Sequence, residues 1–447
     1  MISVLTKSLP EMTPRILFFA PCECLPANTG ARLRNYHLAK ALAENARVTY
    51  LCFSDGDISN PAMDSLEWCE RIVSVRRPIG YSVGNLVRGA IGRWPITVLN
   101  YTTGEMASEL NRLLNDIEFD AVQIESLALM AYFPIVRKAR GNPIAIADWH
   151  NVDSEVFERY GRRAPSLARS AYARWTAARV RSLERKALRE FDAHLTVSER
   201  DRLRLLEINP SANVFHASNG VDSDFYSEES CDRAWQGSTA QRRIDGDSFV
   251  APGHHPKRNR ILFAGSMDYF ANTDAVTWFA ETVWPDLHAR YPELIFTIAG
   301  REPASEVRAL ERMPAIEVTG TVDDLRPYYR EALAAVVPLR IGGGSRLKIL
   351  EAMAAGVPVV STELGAEGIE ASDGENILIA NTAERLSRSL SELLQDQELR
   401  LRLTTSARLL VRQRYDWSVV GEDLAFAYRS LIGDRRAQIP ALVEVGA

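Results

Sequence analysis

The chain has 447 residues, of which 46% are hydrophobic and 25% are charged, and its formal net charge is −5 at pH 7. This length exceeds what one hydrophobic core supports and fits two domains, while the negative charge gives no reason to expect a nucleic-acid partner. The five cysteines are scattered and include no CxxC pair, which argues against a zinc site or a disulfide framework and indicates a reducing compartment.

Apolar segments are short throughout the chain. The first of them, Ile16–Ala20, is much shorter than the apolar region of a signal peptide, and no segment approaches the roughly 20 residues of a membrane-spanning helix. We therefore expect a cytoplasmic protein that at most lies on the inner face of a membrane.

Runs rich in Val, Ile and Phe alternate with helical patterns in the first half of the chain, which predicts a parallel sheet built from strand–helix–strand units. The helix predicted at Ala31–Glu44 places Leu33, His37, Leu38 and Leu42 on one face. The strands predicted in this half are Arg15–Ala20, Arg47–Phe53, Arg71–Val75, Asp120–Ile124, Pro143–Asp148, Ala193–Val197 and Asn213–Ala217.

A polar stretch, residues 226–259, has no periodic apolar pattern and is predicted to be a linker. The strands predicted after it are Arg260–Ala264, Leu294–Ala299, Ile316–Thr319, Ala334–Pro338, Val357–Ser361 and Asn376–Ile379. We predict an α/β protein with two Rossmann-like domains facing each other, at 14–225 and 260–415, and a C-terminal helix at 416–434 that packs back toward the first domain. Because ligands of such sheets bind beyond the carboxyl ends of the strands, the cleft between the domains is the expected site.

The segment Pro338–Gly356, PLRIGGGSRLKILEAMAAG, joins a strand end to a helix through three glycines. Backbone N–H groups near Gly344 and Ser345 would face an anion at the start of this helix, and Arg346 and Lys348 add positive charge beside it. A diphosphate fits this chemistry. The alternative is a buried helix with a flexible glycine turn and solvated cations.

This segment, together with the VPVVST and GAEGI that follow, resembles the donor-site signature of family 4 glycosyltransferases. The likeness is closest to the branch with the pattern GGG-S/T-R-L-K-I-L-E-A-M-A. Further segments agree in family order over nearly the whole chain: NTGARLRNYHLAKAL, DWHNVDSEVFERY, LTVSERDRL, SNGVD, FAGSMDYFANTDAVTWF and VTGTVDDLRPYY. The resemblance implies a GT-B fold, a nucleotide sugar bound mainly by the C-terminal domain, and transfer with retention at the anomeric carbon.

The resemblance also implies donor-side residues. Glu351 matches the ribose-binding second glutamate of the family's E-x7-E motif, and Glu367 stands in the GAEGI segment of the donor site. The first glutamate of the motif is missing, because Gly343 takes its position.

Two cations that are usual after the first strand of the second domain are also absent. Ser266 and Ala271 stand in their places. Arg346 and Lys348 are the expected replacements as diphosphate ligands.

His150 follows the predicted strand Pro143–Asp148, at the end of the sheet where ligands bind. A lone histidine is more often structural, but the resemblance places this one at the family's active-site histidine, which contacts the transferred sugar. Asp148 and Asn151 are candidate supporting residues on the sugar or acceptor side.

The loop Asn28-Thr29-Gly30 resembles the family's flexible loop, which lies against the donor phosphate or the acceptor. We expect Gly30 on the donor side and Arg34, at the start of the following helix, on the acceptor or sugar side. The alternative is a turn glycine followed by solvated arginines.

Asp222 and Asp224 form a DxD sequence, which binds a divalent metal in other glycosyltransferases. Here the pair follows the family's interdomain turn, so we expect no metal. No cofactor is expected beyond the donor, a UDP- or GDP-sugar, and His150, Arg346 and Lys348 are the expected catalytic residues. The expected acceptor is a glycan or a lipid-linked molecule of surface or exopolysaccharide biosynthesis.

The stretch 159–189 contains ten arginines and lysines and a single acidic residue. A helical projection places Arg174, Arg181, Arg185 and Arg189 on one side and Tyr172, Trp175, Val180, Leu183 and Ala187 on the other. One interpretation is a helix packed on the core with a solvated basic face; the other is a surface that meets anionic lipid or a polyanionic acceptor.

Three other classes of protein are alternatives to a glycosyltransferase. A nucleotide-sugar epimerase would need acid–base pairs in the cleft, which the sequence does not place, and a dinucleotide-dependent oxidoreductase would need a GxGxxG after a strand, which is absent. A non-catalytic nucleotide-binding protein is the third alternative, and the missing first glutamate favours it.

Overall fold

The computed structural model describes residues 13–54, 56, 60, 62–77, 89, 92, 94–164, 166–244, 259–342 and 347–438. Two parallel sheets, flanked by helices, form two Rossmann-like domains, which confirms the predicted GT-B architecture. Among the helices of the described ranges, none is both long and apolar enough to cross a bilayer.

The N-terminal sheet has the strand order β3-β2-β1-β4-β5-β6-β7. Its strands are β1 Arg15–Ala20, β2 Arg47–Ser54, β3 Cys69–Arg76, β4 Ala121–Glu125, β5 Ile144–Trp149, β6 Ala193–Thr196 and β7 Val214–His216. The order reverses between β1 and β4, and a ligand crevice opens at such a switch point. The helices of this half are α1 Gly30–Ala43, α2 Ile96–Leu99, α3 Gly104–Asp116, α4 Phe133–Val136, α5 Asp153–Arg163, α6 Leu167–Glu190 and α7 Glu199–Ile208.

The C-terminal sheet repeats this arrangement with the order β10-β9-β8-β11-β12-β13. Its strands are β8 Arg260–Ala264, β9 Ile295–Ala299, β10 Ile316–Gly320, β11 Ala332–Val337, β12 Val359–Ser361 and β13 Leu378–Ile379. Strand bounds in both sheets lie within two residues of those predicted, because buried parallel strands are continuous apolar runs that the sequence makes visible.

The predicted linker differs from the structure in its first part, where helix α8, Glu228–Ile244, follows the N-terminal domain. Cys231 is buried in the core of the C-terminal domain, and the Trp235 indole donates to Glu331 at 2.9 Å. Cys231 and Trp235, four residues apart, pack this helix against the C-terminal domain. Two such positions are too few to show as an apolar periodicity in a polar sequence. Residues 245–258 of the predicted linker lie outside the described ranges.

The remaining helices are α9 Phe270–Thr282, α10 Trp284–Arg290, α11 Ser305–Ala309, α12 Arg326–Glu331, α13 Leu347–Ala354, α14 Ala383–Gln395, α15 Gln397–Leu410 and α16 Trp417–Gln438. Helix α16 returns to the N-terminal domain, where Leu424 and Tyr428 are buried in the same core as Leu38 of α1. Gly220, after β7, lies against the start of α16. It has no room for a side chain, since a Cβ there would lie 2.7 Å from the Trp417 ring. The return places side chains of α16 beneath the carboxyl ends of the N-terminal strands.

Candidate active site

A buried cluster of charged side chains stands at the carboxyl ends of β4 and β5, on the N-terminal side of the cleft. His150 Nε2 lies 3.0 Å from Glu125 Oε2 and 3.6 Å from Asp148 Oδ2. Both carboxylates are fully buried, whereas the His150 side chain keeps 20% of its surface exposed. The imidazole is therefore the member of the cluster that can touch a substrate, with Asn151, half-buried, next to it.

Arg34 binds Asp148 of this cluster and does not have the acceptor-side or sugar-side role expected from the sequence. Its Nε and Nη2 donate to the two oxygens of Asp148 at 2.7 and 2.8 Å. Nη1 donates to the carbonyls of Ala217 and Ser218 and to the Asn219 amide oxygen at 2.9–3.1 Å. With 1% of its surface exposed, Arg34 does not reach an acceptor or a sugar, and its role is to fix Asp148.

Glu125 is a member of the cluster that the sequence analysis missed. Its other oxygen, Oε1, accepts a hydrogen bond from the side-chain amide of Gln123, and the Gln123 Oε1 accepts one from the Tyr428 hydroxyl of α16. A chain of buried hydrogen bonds thus joins the C-terminal helix to His150. The available signal was the position of Glu125 directly after the predicted strand Asp120–Ile124, where a polar residue enters the cleft.

The electrostatics of the cluster follow from burial and close charges. Burial, reinforced by the Asp148 charge, raises the pKa of Glu125 to about 7. Burial opposes protonation of His150, but the hydrogen bond to Glu125 and the charges of both carboxylates outweigh it and raise the pKa of His150. The glutamate and the histidine share one hydrogen bond, so protonation of one affects protonation of the other.

Glu125, Asp148 and His150 also bring ligand atoms within 4.8 Å of one another, an arrangement that can hold a metal ion. Arg34 already neutralises both oxygens of Asp148, so it supplies the positive charge that a metal would bring. Asp222 accepts a hydrogen bond from the Phe225 amide at 2.7 Å and closes an exposed turn. Metal independence stays a prediction.

On the C-terminal side of the cleft, Gly344, Ser345 and Arg346 lie outside the described residues, and α13 is described from Leu347. Lys348 Nζ donates to Asn272 Oδ1 at 2.7 Å and lies 4.0 Å from the centroid of the Phe263 ring. Lys348 is therefore held at the carboxyl end of β8.

Glu351, one turn further along α13, accepts a hydrogen bond from the Tyr329 hydroxyl at 3.0 Å. Burial raises the pKa of Glu351, and the hydrogen bond with Tyr329 and the charge of Lys348 work against that rise. This carboxylate stands on α13 with its orientation held by Tyr329, as a hydrogen-bond acceptor for a sugar ring requires.

Glu367, expected at the donor, is engaged in a contact between the domains. Arg159 of α5 donates to its two oxygens at 2.5 and 3.0 Å and to the Gly342 carbonyl at 2.9 Å, and Arg200 is paired with the same carboxylate. Glu367 is thus paired with arginines of the N-terminal domain in this structure, and its contact with the donor stays a prediction. Arg159 belongs to the basic stretch 159–189, and only the tertiary structure shows its partner.

Gly30 lies at the start of α1 and faces α13 of the other domain, as a Cβ there would lie 3.3 Å from Leu347 Cδ1. The preceding Thr29 caps α1 by accepting a hydrogen bond from the Arg32 amide. The loop before α1 in the first domain and the start of α13 in the second domain thus approach each other closely.

The basic stretch 159–189 forms two helices, α5 and α6, rather than one. The buried side of α6 contains Ala177, Val180 and Leu183, whereas Tyr172 and Trp175 are 55% and 41% exposed. The projection was wrong for Tyr172 and Trp175 and right for Val180 and Leu183, which lie on the buried side.

Two family models match consecutive parts of the chain. The model "Glycosyltransferase Family 4" matches residues 29–225, and the model "Glycosyl transferases group 1" matches residues 258–396. The first range contains the cluster around His150, and the second contains Lys348 and Glu351.

Curated relatives resemble part of the chain. A phosphatidyl-myo-inositol mannosyltransferase of Mycolicibacterium smegmatis is 31% identical over 193 residues, which is 42% of this chain and 49% of the relative. An uncharacterized 44.6 kDa protein in the cps region of Klebsiella pneumoniae is 24% identical over 208 residues, 43% of this chain and 52% of the relative. The chain thus spans about half the length of the curated relatives it matches.

Solved structures share the fold over nearly the whole chain. Sucrose-phosphate synthase from Thermosynechococcus elongatus superposes with a TM-score of 0.67 at 16% identity, covering 94% of this chain and 100% of that one. HepE of Anabaena in complex with UDP-glucose superposes with a TM-score of 0.63 at 14% identity, covering 93% and 100%. At these identities the likeness establishes the fold.

Proposed function

We propose that this chain is a family 4 glycosyltransferase of the GT-B type. It moves a hexosyl group from a nucleoside-diphosphate sugar to a glycan or lipid-linked acceptor. The transfer proceeds with retention at the anomeric carbon and without a metal. The observation that carries the proposal is that a partly exposed histidine, held by buried carboxylates, lies in one domain, while Lys348 and Glu351 lie on α13 of the other, which closely approaches the first domain at Gly30.

The donor side supplies charge and orientation. Lys348 and the predicted ligand Arg346 would stabilise negative charge on the departing diphosphate, and Glu351 would accept hydrogen bonds from the ribose. UDP and GDP are the nucleotides that the resemblance favours, and the complex of HepE with UDP-glucose supports a donor of this kind in the fold.

The acceptor side supplies position. Attack from the face of the leaving group accounts for retention: the acceptor oxygen bonds to the anomeric carbon, the bond to the phosphate oxygen breaks, and that oxygen takes the acceptor proton. His150 would hold a sugar hydroxyl in place for this step, with Glu125 and Asp148 fixing the imidazole. Closure of the domains would limit hydrolysis of the donor by excluding water.

The proposal predicts a specific loss of affinity on the donor side. Glu351→Ala should weaken binding of the cognate nucleoside diphosphate about ten- to hundredfold, because hydrogen bonds to a charged acceptor contribute about 1.5–3 kcal/mol. A screen of nucleotide sugars by thermal shift identifies the donor, and calorimetry then compares the parent with Glu351→Ala and with Glu311→Ala, an exposed glutamate outside the cleft.

Transfer with the identified donor should persist in excess EDTA. Loss of transfer in EDTA with recovery in manganese would contradict metal independence, and binding without transfer to any acceptor would favour a non-catalytic nucleotide-binding protein.

We extend the proposal to a peripheral contact with an anionic membrane on the inner face, through the first half of α6. Leu167 and Tyr172 are 90% and 55% exposed there, and Arg169 and Arg174 are exposed beside them. Apolar and aromatic side chains bordered by arginines suit the boundary between lipid headgroups and acyl chains, and this charge selects an anionic surface.

We expect the protein to sediment with phosphatidylserine-containing liposomes at low salt and to be released at high salt. The double variant Leu167→Ser with Arg174→Glu should lose this retention while keeping the parent's thermal stability. Arg308→Glu, on α11 of the other domain, is the matched control. Equal sedimentation of the parent with neutral and anionic liposomes would overturn the contact.

A further inference from the structure

A second cation stands beside Lys348 on the donor side of the cleft. Arg301 follows the end of β9, and its Nε donates to Ser266 Oγ at 2.7 Å. Lys348 Nζ would lie 2.7 Å from a Cβ placed on Gly265, the residue before Ser266. Two cations thus converge on consecutive residues after β8, although 47 positions separate them in the sequence.

Glycines make this convergence possible. A Cβ on Gly300 would lie 1.8 Å from the Gly265 carbonyl oxygen, so the ends of β8 and β9 touch through bare backbone. Glu302, which directly follows Arg301, has a left-handed φ of 51° that a glutamate rarely adopts. This residue turns the chain away after Arg301. The close approach of the two strand ends brings both cations to the same edge of the cleft.

The surrounding hydrogen bonds fix the positions of both cations. The Asn272 amide donates to the Ser266 carbonyl and accepts from Lys348, in each case at 2.7 Å. Asp268 accepts from Arg301 Nη2 at 3.0 Å and from the Ser266 hydroxyl at 2.6 Å. Arg301 nevertheless keeps 30% of its side chain exposed, and its Nη1 is 3.8 Å from Glu302 on the surface.

We infer that Arg301 is a further diphosphate ligand, which acts together with Lys348 on the phosphates of the donor. The inference rests on the proposed function, because it names a residue of the same donor site. A planar guanidinium beside an ammonium suits a diphosphate, since arginine can bind two phosphate oxygens at once while lysine acts as a point charge. Asp268 and Ser266 orient the guanidinium in this arrangement.

Calorimetry with free nucleotides tests the assignment. The parent protein is titrated with UDP, GDP, ADP, CDP and dTDP, and the best ligand is compared with its monophosphate. Arg301→Ala should weaken the diphosphate about ten- to hundredfold and change monophosphate affinity much less, and Lys348→Ala should show the same pattern. Arg308→Ala, an arginine on α11, is the matched control and should bind like the parent.

A second variant separates ligand binding from structural support. Asp268→Asn removes the negative charge beside Arg301 but keeps an amide oxygen that can accept a hydrogen bond from the guanidinium, so diphosphate affinity should stay at or above the parent's. An equal loss in Asp268→Asn and Arg301→Ala would make Arg301 a structural residue and overturn the inference. If Arg301→Ala binds the diphosphate as tightly as the parent protein does, the inference about Arg301 is wrong and the proposed function stands. If the parent protein binds none of the five diphosphates, both the inference and the proposed function are wrong.

Discussion

Replacing His150 with alanine should reduce sugar transfer by roughly 10²–10⁴-fold, the contribution of a positioned polar or acid–base group, while nucleoside-diphosphate affinity stays nearly unchanged. His150 lies in the N-terminal domain, whereas Lys348 and Glu351 lie on α13 of the C-terminal domain. A free diphosphate lacks the sugar that the imidazole would contact. Turnover with the identified donor and calorimetry with the free diphosphate measure the two effects separately.

The His150 prediction has a pH component that a purely structural histidine would not show. Because Glu125 and Asp148 raise the pKa of His150, Glu125→Gln should lower that pKa and move the corresponding limb of the pH–rate profile toward lower pH. His288→Ala, in which the lost ring stacks on Trp284 in the other domain, is the control histidine and should keep the parent's profile. If His150→Ala turns over like the parent, His150 has no part in the chemistry.

Replacing Arg34 with alanine should lower the free energy of unfolding by about 3–5 kcal/mol, because the change leaves the buried Asp148 carboxylate without its partner. Arg34→Lys should recover only part of this loss, since an ammonium cannot donate to both carboxylate oxygens and to three further acceptors in the same plane. Urea denaturation measures the loss. Arg112→Ala removes an exposed ion pair with Glu109 and should leave stability nearly unchanged.

The same pair predicts how stability depends on pH. Burial alone would raise the pKa of Asp148, but the charge and hydrogen bonds of Arg34 outweigh it and hold the pKa below its usual range. A carboxyl group with a lowered folded-state pKa stabilises the protein above its unfolded pKa of about 4, and this stabilisation disappears as the pH falls through the folded value. The Arg34→Ala variant should lack this acid-side loss, and an unchanged acid limb would contradict the pairing.

The strands illustrate what could be predicted from local sequence. Arg15–Ala20 and Arg260–Ala264 appear in the structure with the bounds predicted for them, because each is a buried apolar run between polar turns. Helix α8 was missed because its anchoring side chains, Cys231 and Trp235, are too few for a periodic pattern. The placement of His150 at a strand end required only the order of strands and helices along the chain.

The sequence by itself determined the two-domain α/β architecture and the positions of His150, Lys348 and Glu351 near the cleft, since strand and helix periodicities and strand ends are local properties. Only the tertiary structure decided the partners of each charge: Arg34 lies 114 residues from Asp148, and Arg159 lies 208 residues from Glu367. The physical reason is that buried charges require specific neighbours, and these neighbours come from whichever elements the sheets and the returning C-terminal helix bring together. No local pattern records that pairing.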